Sequence, residues 1–411
     1  MEIRPILSAL LRSKTGAILV AIQVALSLAI LSNALYIVQV RQEKAARPSG
    51  IAAEADVFAL QVRHLTAGST NEQLAQQASE TAALRAVSGV LSVAGTSQMP
   101  LAQSGSYNSI STDRKQVNES ASAAFYVTPD SLVKTWGLQL VEGRDFTPGE
   151  ALDIDLNTSK EFPKVVIVTR ALAEKVWPGA ASVVGKTLLF GVGEPAKETR
   201  VIGVVERLQT PAAQLGSEGE ISTIVPARLT GGTDVGYTLR AEPGQLDRVI
   251  KEAEAAIRAT SPTPVIVRTK SMVEMRTNRY RADHALSWML VAVSVLLLLI
   301  TASGIVGMAS LWVTQRRKQI GVRRALGARR LDILRYFITE NILITSVGVT
   351  AGVLLALALN QLLVSKLEMA RLPAGYLLGG AGVFWALGIV AVYGPAWRAA
   401  TISPALATRS A

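Results

Sequence analysis

QRRKQIGVRRALGARRLDILRYFITE, residues 315–340, is a strongly basic segment set between two long apolar runs. Eight of its side chains are cationic (Arg316, Arg317, Lys318, Arg323, Arg324, Arg329, Arg330 and Arg335), against two acids, Asp332 and Glu340. Gly327 suits the position just past a helix C-terminus, so the segment divides into a short helix from about Gln315 to Leu326 and a longer one that continues into the next apolar run. At 100° per residue Arg316, Arg317, Arg323 and Arg324 share an arc of about 120° with Ile320 at its middle, and Val322, Ala325 and Leu326 lie opposite. One face can rest on a bilayer or a helix bundle. The other is expected to offer Ile320 as an apolar knob ringed by arginines, a shape suited to a socket on another protein. A cluster that orients the chain and binds anionic headgroups would explain the charges but not Ile320.

Outward from this segment, four stretches lack Asp, Glu, Lys and Arg: Thr15 to Val40, His284 to Gln315, Asn341 to Ser365 and Leu372 to Trp397. Each reaches the roughly 20 residues that cross a bilayer's hydrocarbon as a helix. The formal charge of +11 would suit a polyanion or an anionic membrane as partner, but residues 41–283 sum to zero and residues 284–340 carry +6. The excess borders the apolar runs, which points to a membrane protein and away from nucleic acid. Under the positive-inside rule residues 315–340 are cytoplasmic. Both termini (Arg4, Arg12 and Lys14; Arg398 and Arg409) then fall inside, and residues 41–283 fall outside. Arg41, Lys44 and Arg47 dissent, being basic on the outer side. Ser32-Asn33-Ala34 is a small-x-small site of the kind that ends a signal peptide, but the apolar run continues past it to Val40, as an anchor does. Gln23, Ser27 and Asn33 are expected to make interhelical hydrogen bonds. Ser303, Gly304, Gly307 and Ser310, at three- and four-residue spacing, are expected to form a packing face within the chain or between two chains.

The outer region opens with a strand at Asp56 to Val62, a helix at Asn71 to Val87 and a strand at Gly89 to Ala94. It closes with a strand at Gly236 to Arg240, a helix from Pro243 to Thr260 with apolar Leu246, Ile250, Ala253 and Ile257, and a strand at Pro264 to Arg268. Two such β-α-β units suggest one split α+β subdomain, residues 52–94 and 234–270, with a module inserted over 95–230. Ser104 to Ser111 reads as a hairpin or loop. Residues 271–314 are expected to form a stalk helix running on into the second span.

Catalytic signals are weak. No phosphate-cradling G-x-x-x-x-G-K-[ST] occurs, and Gly191-Val-Gly193 reads as a turn. Asp145, Glu150, Asp153 and Asp155 follow no acid/base pattern, and Ser104, Ser106 and Ser109 have no nearby base beyond His64. Two histidines, His64 and His284, make no metal cluster, and the absence of cysteine leaves redox compartment unread. No catalytic or metal-binding residue is assigned.

At residues 319–340 the chain resembles the MacB/FtsX family of ABC-transporter permeases. Its hallmark, roughly R-E-I-G-[IV]-R-[RK]-A-[LIV]-G-A-x-x-x-D-I-L-x-x-F-x-x-E, is met from Ile320-Gly321 through Arg323, Arg324, Gly327 and Ala328 to Asp332, Phe337 and Glu340. Val127 to Asp130, Trp136 to Leu140, Glu142 to Phe146, Val168 to Leu172, Trp177 to Gly179, Gly185-Lys186 and Val201 to Val205 are similar to the MacB-type periplasmic core domain, and Pro395 to Ala400 with Pro404 to Leu406 to the family's closing motif. The resemblance implies four transmembrane helices (residues 1–40 with the N-terminus, 271–314 with the stalk, 341–365 and 372–397, before a tail at 398–411). Between the first two it implies a large extracytoplasmic α+β domain, residues 41–270, made of a porter-like split subdomain and a Sabre-like insert. It further implies a bacterial inner-membrane permease paired with a second, identical or related permease. ATP hydrolysis would come from a separate ATPase subunit, since the chain starts shortly before its first span. ATP and magnesium would sit on that partner and no cofactor on this chain. Arg316, Arg317, Gln319, Ile320, Gly321, Arg323, Arg324, Gly327 and Ala328 would form the ATPase-coupling segment, transmitting closure to the outer domain to export or extract a substrate, with a periplasmic adaptor and an outer-membrane channel as further partners. The alternative within the family is an FtsX-like regulator of an envelope enzyme. Gln319 stands where Glu is common and Ser403 where Asp is common.

Overall fold

The computed structural model describes residues 14–214, 216–367 and 371–401. Arg4, Arg12, Ser403, Pro404 to Leu406 and Arg409 lie outside them. The helices are α1 (Lys14–Ala46), α2 (Thr70–Ala86), α3 (Leu132–Trp136), α4 (Arg170–Val176), α5 (Leu246–Thr260), α6 (Met272–Gln315), α7 (Arg317–Ala325), α8 (Arg330–Leu367) and α9 (Ala374–Ala400). The strands are β1 (Val57–His64), β2 (Val90–Gly95), β3 (Tyr107–Ser111), β4 (Ala121–Thr128), β5 (Leu140–Gly143), β6 (Leu152–Asp155), β7 (Val165–Thr169), β8 (Thr187–Phe190), β9 (Lys197–Val205), β10 (Ser222–Thr230), β11 (Asp234–Ala241) and β12 (Val265–Ser271). They form two compact units, one of residues 44–281 and one of residues 1–43 with 282–411.

In the helical unit α1, α6, α8 and α9 are each long and apolar enough to cross a membrane. The chain is a multi-pass membrane protein with a large β-rich domain between its first two spans. Within its most apolar window α1 is 56% buried and α6 only 17%, so α1 is the central helix and α6 the most open. Polar side chains on α1 reach its neighbours as expected in an apolar medium. Gln23 donates to the Ile300 carbonyl (2.9 Å), the Ser27 and Thr301 hydroxyls meet at 2.9 Å, and Asn33 donates to the Ala356 carbonyl (3.2 Å). The small-x-small site at Ser32 to Ala34 lies inside α1 and is buried. Arg41, which dissented from the charge rule, is paired with Asp283.

Close approach of α8 to α1 depends on glycine. A methyl group added at Gly348 would lie 2.8 Å from the Ala21 carbonyl oxygen and 2.8 Å from Val24 Cβ, and one at Gly352 would lie 3.0 Å from the Ala25 oxygen. Backbone sits on backbone here, so no rotamer change makes room. We expect Gly348→Val to destabilise the helical unit by about 1–3 kcal/mol through overpacking. Gly382→Val on α9, whose added methyl would meet nothing within 4 Å, should leave it unchanged. Thermal aggregation of the detergent-solubilised chain measures both.

In the second unit β1 is an inner strand of a four-stranded sheet of order β12-β1-β11-β2, in which every neighbouring pair is antiparallel. Phe58, Leu60 and Val62 point to one face and pack with Leu239, Val249, Ala253 and Ile257 under α2 and α5. The apolar face of α5 is thus centred on Val249, with Leu246 and Ile250 only partly buried at its margin. α2 begins with a complete capping box, Ser69 accepting from the Glu72 amide and Glu72 from the Ser69 amide.

The segment between β2 and β11 builds an eight-stranded sheet of order β4-β3-β8-β9-β7-β10-β6, with β5 added on β9. β10 also pairs with β4, so the ladder closes on itself. The stretch from Ser104 to Ser111 is a loop only as far as Ser106, since Tyr107–Ser111 pairs with β4 as strand β3. Gly191 and Gly193, both with positive φ, turn the chain between β8 and β9. The two sheets share a core in which Trp136, fully buried, donates through Nε1 to Thr238 Oγ1 (2.8 Å) and meets Tyr126 edge to face.

Candidate functional site: the basic turn between the second and third spans

α6 ends at Gln315, α7 follows after Arg316, and Gly327 (φ +100°) ends α7. The Ala328 amide donates to the Arg323 carbonyl (3.1 Å) and the Gly327 amide to the Arg324 carbonyl (3.2 Å), the paired bonds of a Schellman stop. α8 then starts with the Arg329 amide donating to the Asp332 carboxylate at 2.9 Å.

Ile320 is not an exposed knob. It is 5% exposed and clusters with Trp312, Ile333 and Phe337, and Gly321 beside it is also buried. Three of the four arginines around Ile320 reach back to the bundle, although Arg323 stays exposed. Arg316 makes a two-pronged ion pair with Glu340 on α8, at 2.9 and 2.8 Å, with the Glu340 side chain 1% exposed. Arg323 lies 5.1 Å over the Tyr336 ring, and Arg324 donates to the carbonyl of Ala400 at the end of α9. The physical reason is the length of arginine. Its apolar stem covers the bundle end while its head finds a carboxylate, a ring or a carbonyl, so a run of arginines does not mark the solvent side of a helix.

The arc facing away from the bundle is therefore the one holding Val322 (46% exposed) and Leu326 (83% exposed). Arg317, Lys318, Gln319 and Arg329 are exposed too, and Ala328 is half-buried. Gln319 borders a small cleft with Arg316, Arg323 and Tyr336, where a glutamate would face Arg323 one turn on. What the helical wheel missed is Glu340, whose burial opposite Arg316 needs the fold of α7 back against α8. The only sequence signal for it was its place at the end of the hallmark motif.

The small-residue stripe on α6 divides. Gly304 faces α1, where an added methyl would lie 2.4 Å from the Gln23 side chain, whereas Ser303, Gly307 and Ser310 are exposed. In the outer unit the loop carboxylates have structural partners. Arg144 holds the Glu150 carboxyl down to about 2, Asp145 accepts from Ser131, and Asp155 accepts from Thr70 at 2.6 Å. His64 stands 3.3 Å from Glu80 and 3.1 Å from Gln76, and among the described residues no group of three or more His, Asp or Glu could hold a metal.

Comparison with known proteins bears on both units. Residues 22–263 match the MacB-like periplasmic core domain and residues 291–404 the FtsX-like permease C-terminal domain, the first alone covering more than half of the chain. The chain belongs to the MacB/FtsX permease family. Among curated relatives, the permease is 32% identical over 225 residues to the macrolide export ATP-binding/permease protein MacB of Bradyrhizobium diazoefficiens, covering 51% of this chain and 33% of that protein. It is 28% identical over 301 residues to MacB of Nitrosomonas europaea (69% and 42%), and 29% identical over 220 residues to the pyoverdine export ATP-binding/permease protein PvdT of Pseudomonas syringae (51% and 33%). The permease thus spans about a third of the length of the first of these relatives. A crystal structure of a heavy metal efflux pump aligns with 85% of this chain and 34% of its own at 13% identity, but its TM-score of 0.18 carries no weight.

Proposed function

We propose that this chain is the permease subunit of a MacB-type ABC transporter. A separate cytoplasmic ATPase seats on the outward arc of α7, and its ATP-driven closure changes the conformation of the extracytoplasmic domain to export or extract a substrate. The observation that carries this reading is the division of α7 into two arcs. One is fastened to α8 and α9 through Arg316, Arg323 and Arg324, and the other leaves Val322 and Leu326 uncovered amid exposed cations. A helix that is only a topological signal has no need of an exposed leucine beside a buried weld. The chain passes between its two units within α1 and within α6, so movement of the bundle has two continuous helices through which to reach the outer domain.

In this reading the membrane is the bacterial inner membrane, with both termini and α7 cytoplasmic. ATP and magnesium belong to the ATPase. A second permease, identical or related, packs against the open face of α6 at Ser303, Gly307 and Ser310, and an adaptor and outer-membrane channel complete the path where the cargo leaves the cell. Replacing Leu326 by Asp puts a carboxylate in the seat without touching the bundle. The expected result is about fivefold less ATPase recovered with the affinity-purified permease, at unchanged permease stability. Unchanged recovery of the ATPase would refute the seat.

A further inference from the structure

Two clefts along the β12-β1-β11-β2 sheet differ in how their charge is balanced. In the first, of about 460 Å³, the cations are matched: Arg63 pairs with Asp234 (2.7 Å) and Arg85 with Asp130 (3.0 Å). The second, of about 500 Å³, is bounded by the sheet, the loop from Gln98 to Ser106 and the first turns of α6. It is lined by Arg268 and Lys270 of β12 and Arg281 of α6, and by no Asp or Glu among the described residues. Among the described residues none of these three side chains forms an ion pair, and their one side-chain hydrogen bond is from Arg281 to the Asn278 side chain (2.6 Å).

Register explains why the cations converge. Arg268 stands opposite Gln61 and Lys270 opposite Ala59, and residues two apart on a strand project from the same face about 7 Å apart. The loop forming the far wall is held in a costly conformation. Leu101 and Gln103 have φ of +63° and +75°, in the region L-residues avoid. Three bonds hold it there: the Leu101 amide donates to the Thr210 carbonyl (3.4 Å), the Gln103 amide to the Pro211 carbonyl (2.9 Å) and the Gln103 side chain to the Asn278 carbonyl (3.2 Å). Strain kept by such over-determination concentrates at ligand clamps.

We propose that this cleft binds an oxyanion, a phosphate or carboxylate group, through Arg268, Lys270 and Arg281, with the Gln61 amide as a neutral donor. Like charges brought together without a counter-charge repel, and an anion placed among them turns that repulsion into charge-assisted hydrogen bonds. The neighbouring cleft, already neutralised by its own carboxylates, has no such deficit. The inference is independent of the ATPase reading, because binding here needs no second protein.

The test is phosphorus NMR line broadening of two probes, inorganic phosphate and hexyl phosphate, by the full-length chain in a neutral maltoside detergent. Broadening is expected to weaken at least tenfold in Arg268→Gln/Lys270→Gln and to persist in Arg85→Gln of the neighbouring cleft. Equal response to both probes identifies a free oxyanion as ligand, and a tenfold preference for hexyl phosphate identifies the head of a larger molecule. Should the β12 variant fail to fold, Arg281→Gln, at an exposed position on α6, gives the same readout. No broadening of either probe, or broadening that survives loss of these cations, overturns the proposal.

Discussion

Replacing Glu340 by Ala is expected to free the basic turn from the bundle. The carboxylate is almost wholly buried and its two-pronged pair with Arg316 is the one ion pair shown for α7 and its N-terminal cap among the described residues. Removing one partner of a buried pair leaves the other charge uncompensated, a loss of about 3–5 kcal/mol. That is a factor of roughly a hundred or more in the equilibrium between the docked and open turn, because each 1.4 kcal/mol is tenfold. The turn is rich in arginine, so trypsin reports its opening directly: cleavage between Arg316 and Arg330 should accelerate strongly in Glu340→Ala. On the proposed seating of an ATPase on α7, its turnover in the assembled complex should fall at least tenfold, since force delivered to an undocked helix would reach neither α8 nor α9. Glu340→Gln, which keeps the shape and one acceptor, should fall between. Wild-type cleavage and turnover in Glu340→Ala would remove the weld from the account.

Arg276→Ala should separate the two helical passages into the outer unit. The Arg276 guanidinium donates to both oxygens of Glu54 (2.8 and 2.6 Å) and to the carbonyls of Ala45, in the last turn of α1, and Arg47 just beyond it (2.9 and 3.0 Å). One side chain near the start of α6 thus holds the end of α1. Four charge-assisted bonds, partly exposed, put the loss at about 2–3 kcal/mol, and the proposed ATP-dependent rearrangement of the outer domain should drop about tenfold while recovery of the proposed ATPase stays unchanged. The clamp also has a pH signature. Burial pushes the Glu54 carboxyl up, but the hydrogen bonds and charge of Arg276 with the Ser49 hydroxyl outweigh it and hold the carboxyl below its ordinary 4.5. A carboxyl with a depressed folded pKa contributes stability fully above that ordinary value, and the contribution is lost as pH falls through the lower folded one. Arg276→Ala should therefore destabilise the outer unit more at pH 7 than in strong acid, where only the two bonds to backbone carbonyls remain to be lost, as urea titration at two pH values would show.

The membrane spans were legible because an uncharged run of more than 20 residues has few other fates, and Gly327 was legible because only its left-handed backbone ends α7 so sharply. The four-stranded sheet was readable from its alternating strands and amphipathic helices, which are local signals. Closure of the inserted module was not, since pairing β10 with β4 joins residues about a hundred positions apart and leaves no local periodicity. The facing of α7 failed for a different reason. A helical wheel sorts Ile320 from Val322 and Leu326 onto opposite arcs but does not say which arc meets the bundle. The arginines, taken as a sign of solvent, were reaching back to Glu340, Tyr336 and Ala400. Arg276 and Glu54 were equally silent, being ordinary charged residues 222 positions apart until the fold brings them together.

The protein contains no cysteine, so a single Leu326→Cys substitution introduces a unique thiol on the outward arc of α7. Coupled to a short photo-crosslinker in native membranes, it should yield one major protein adduct, a nucleotide-binding ATPase whose yield changes with ATP. Ile320→Cys, pointing into the bundle, should yield none. An adduct with lipid alone at Leu326→Cys, or the same ATPase adduct from both positions, would contradict the proposal that this arc is where the ATPase sits.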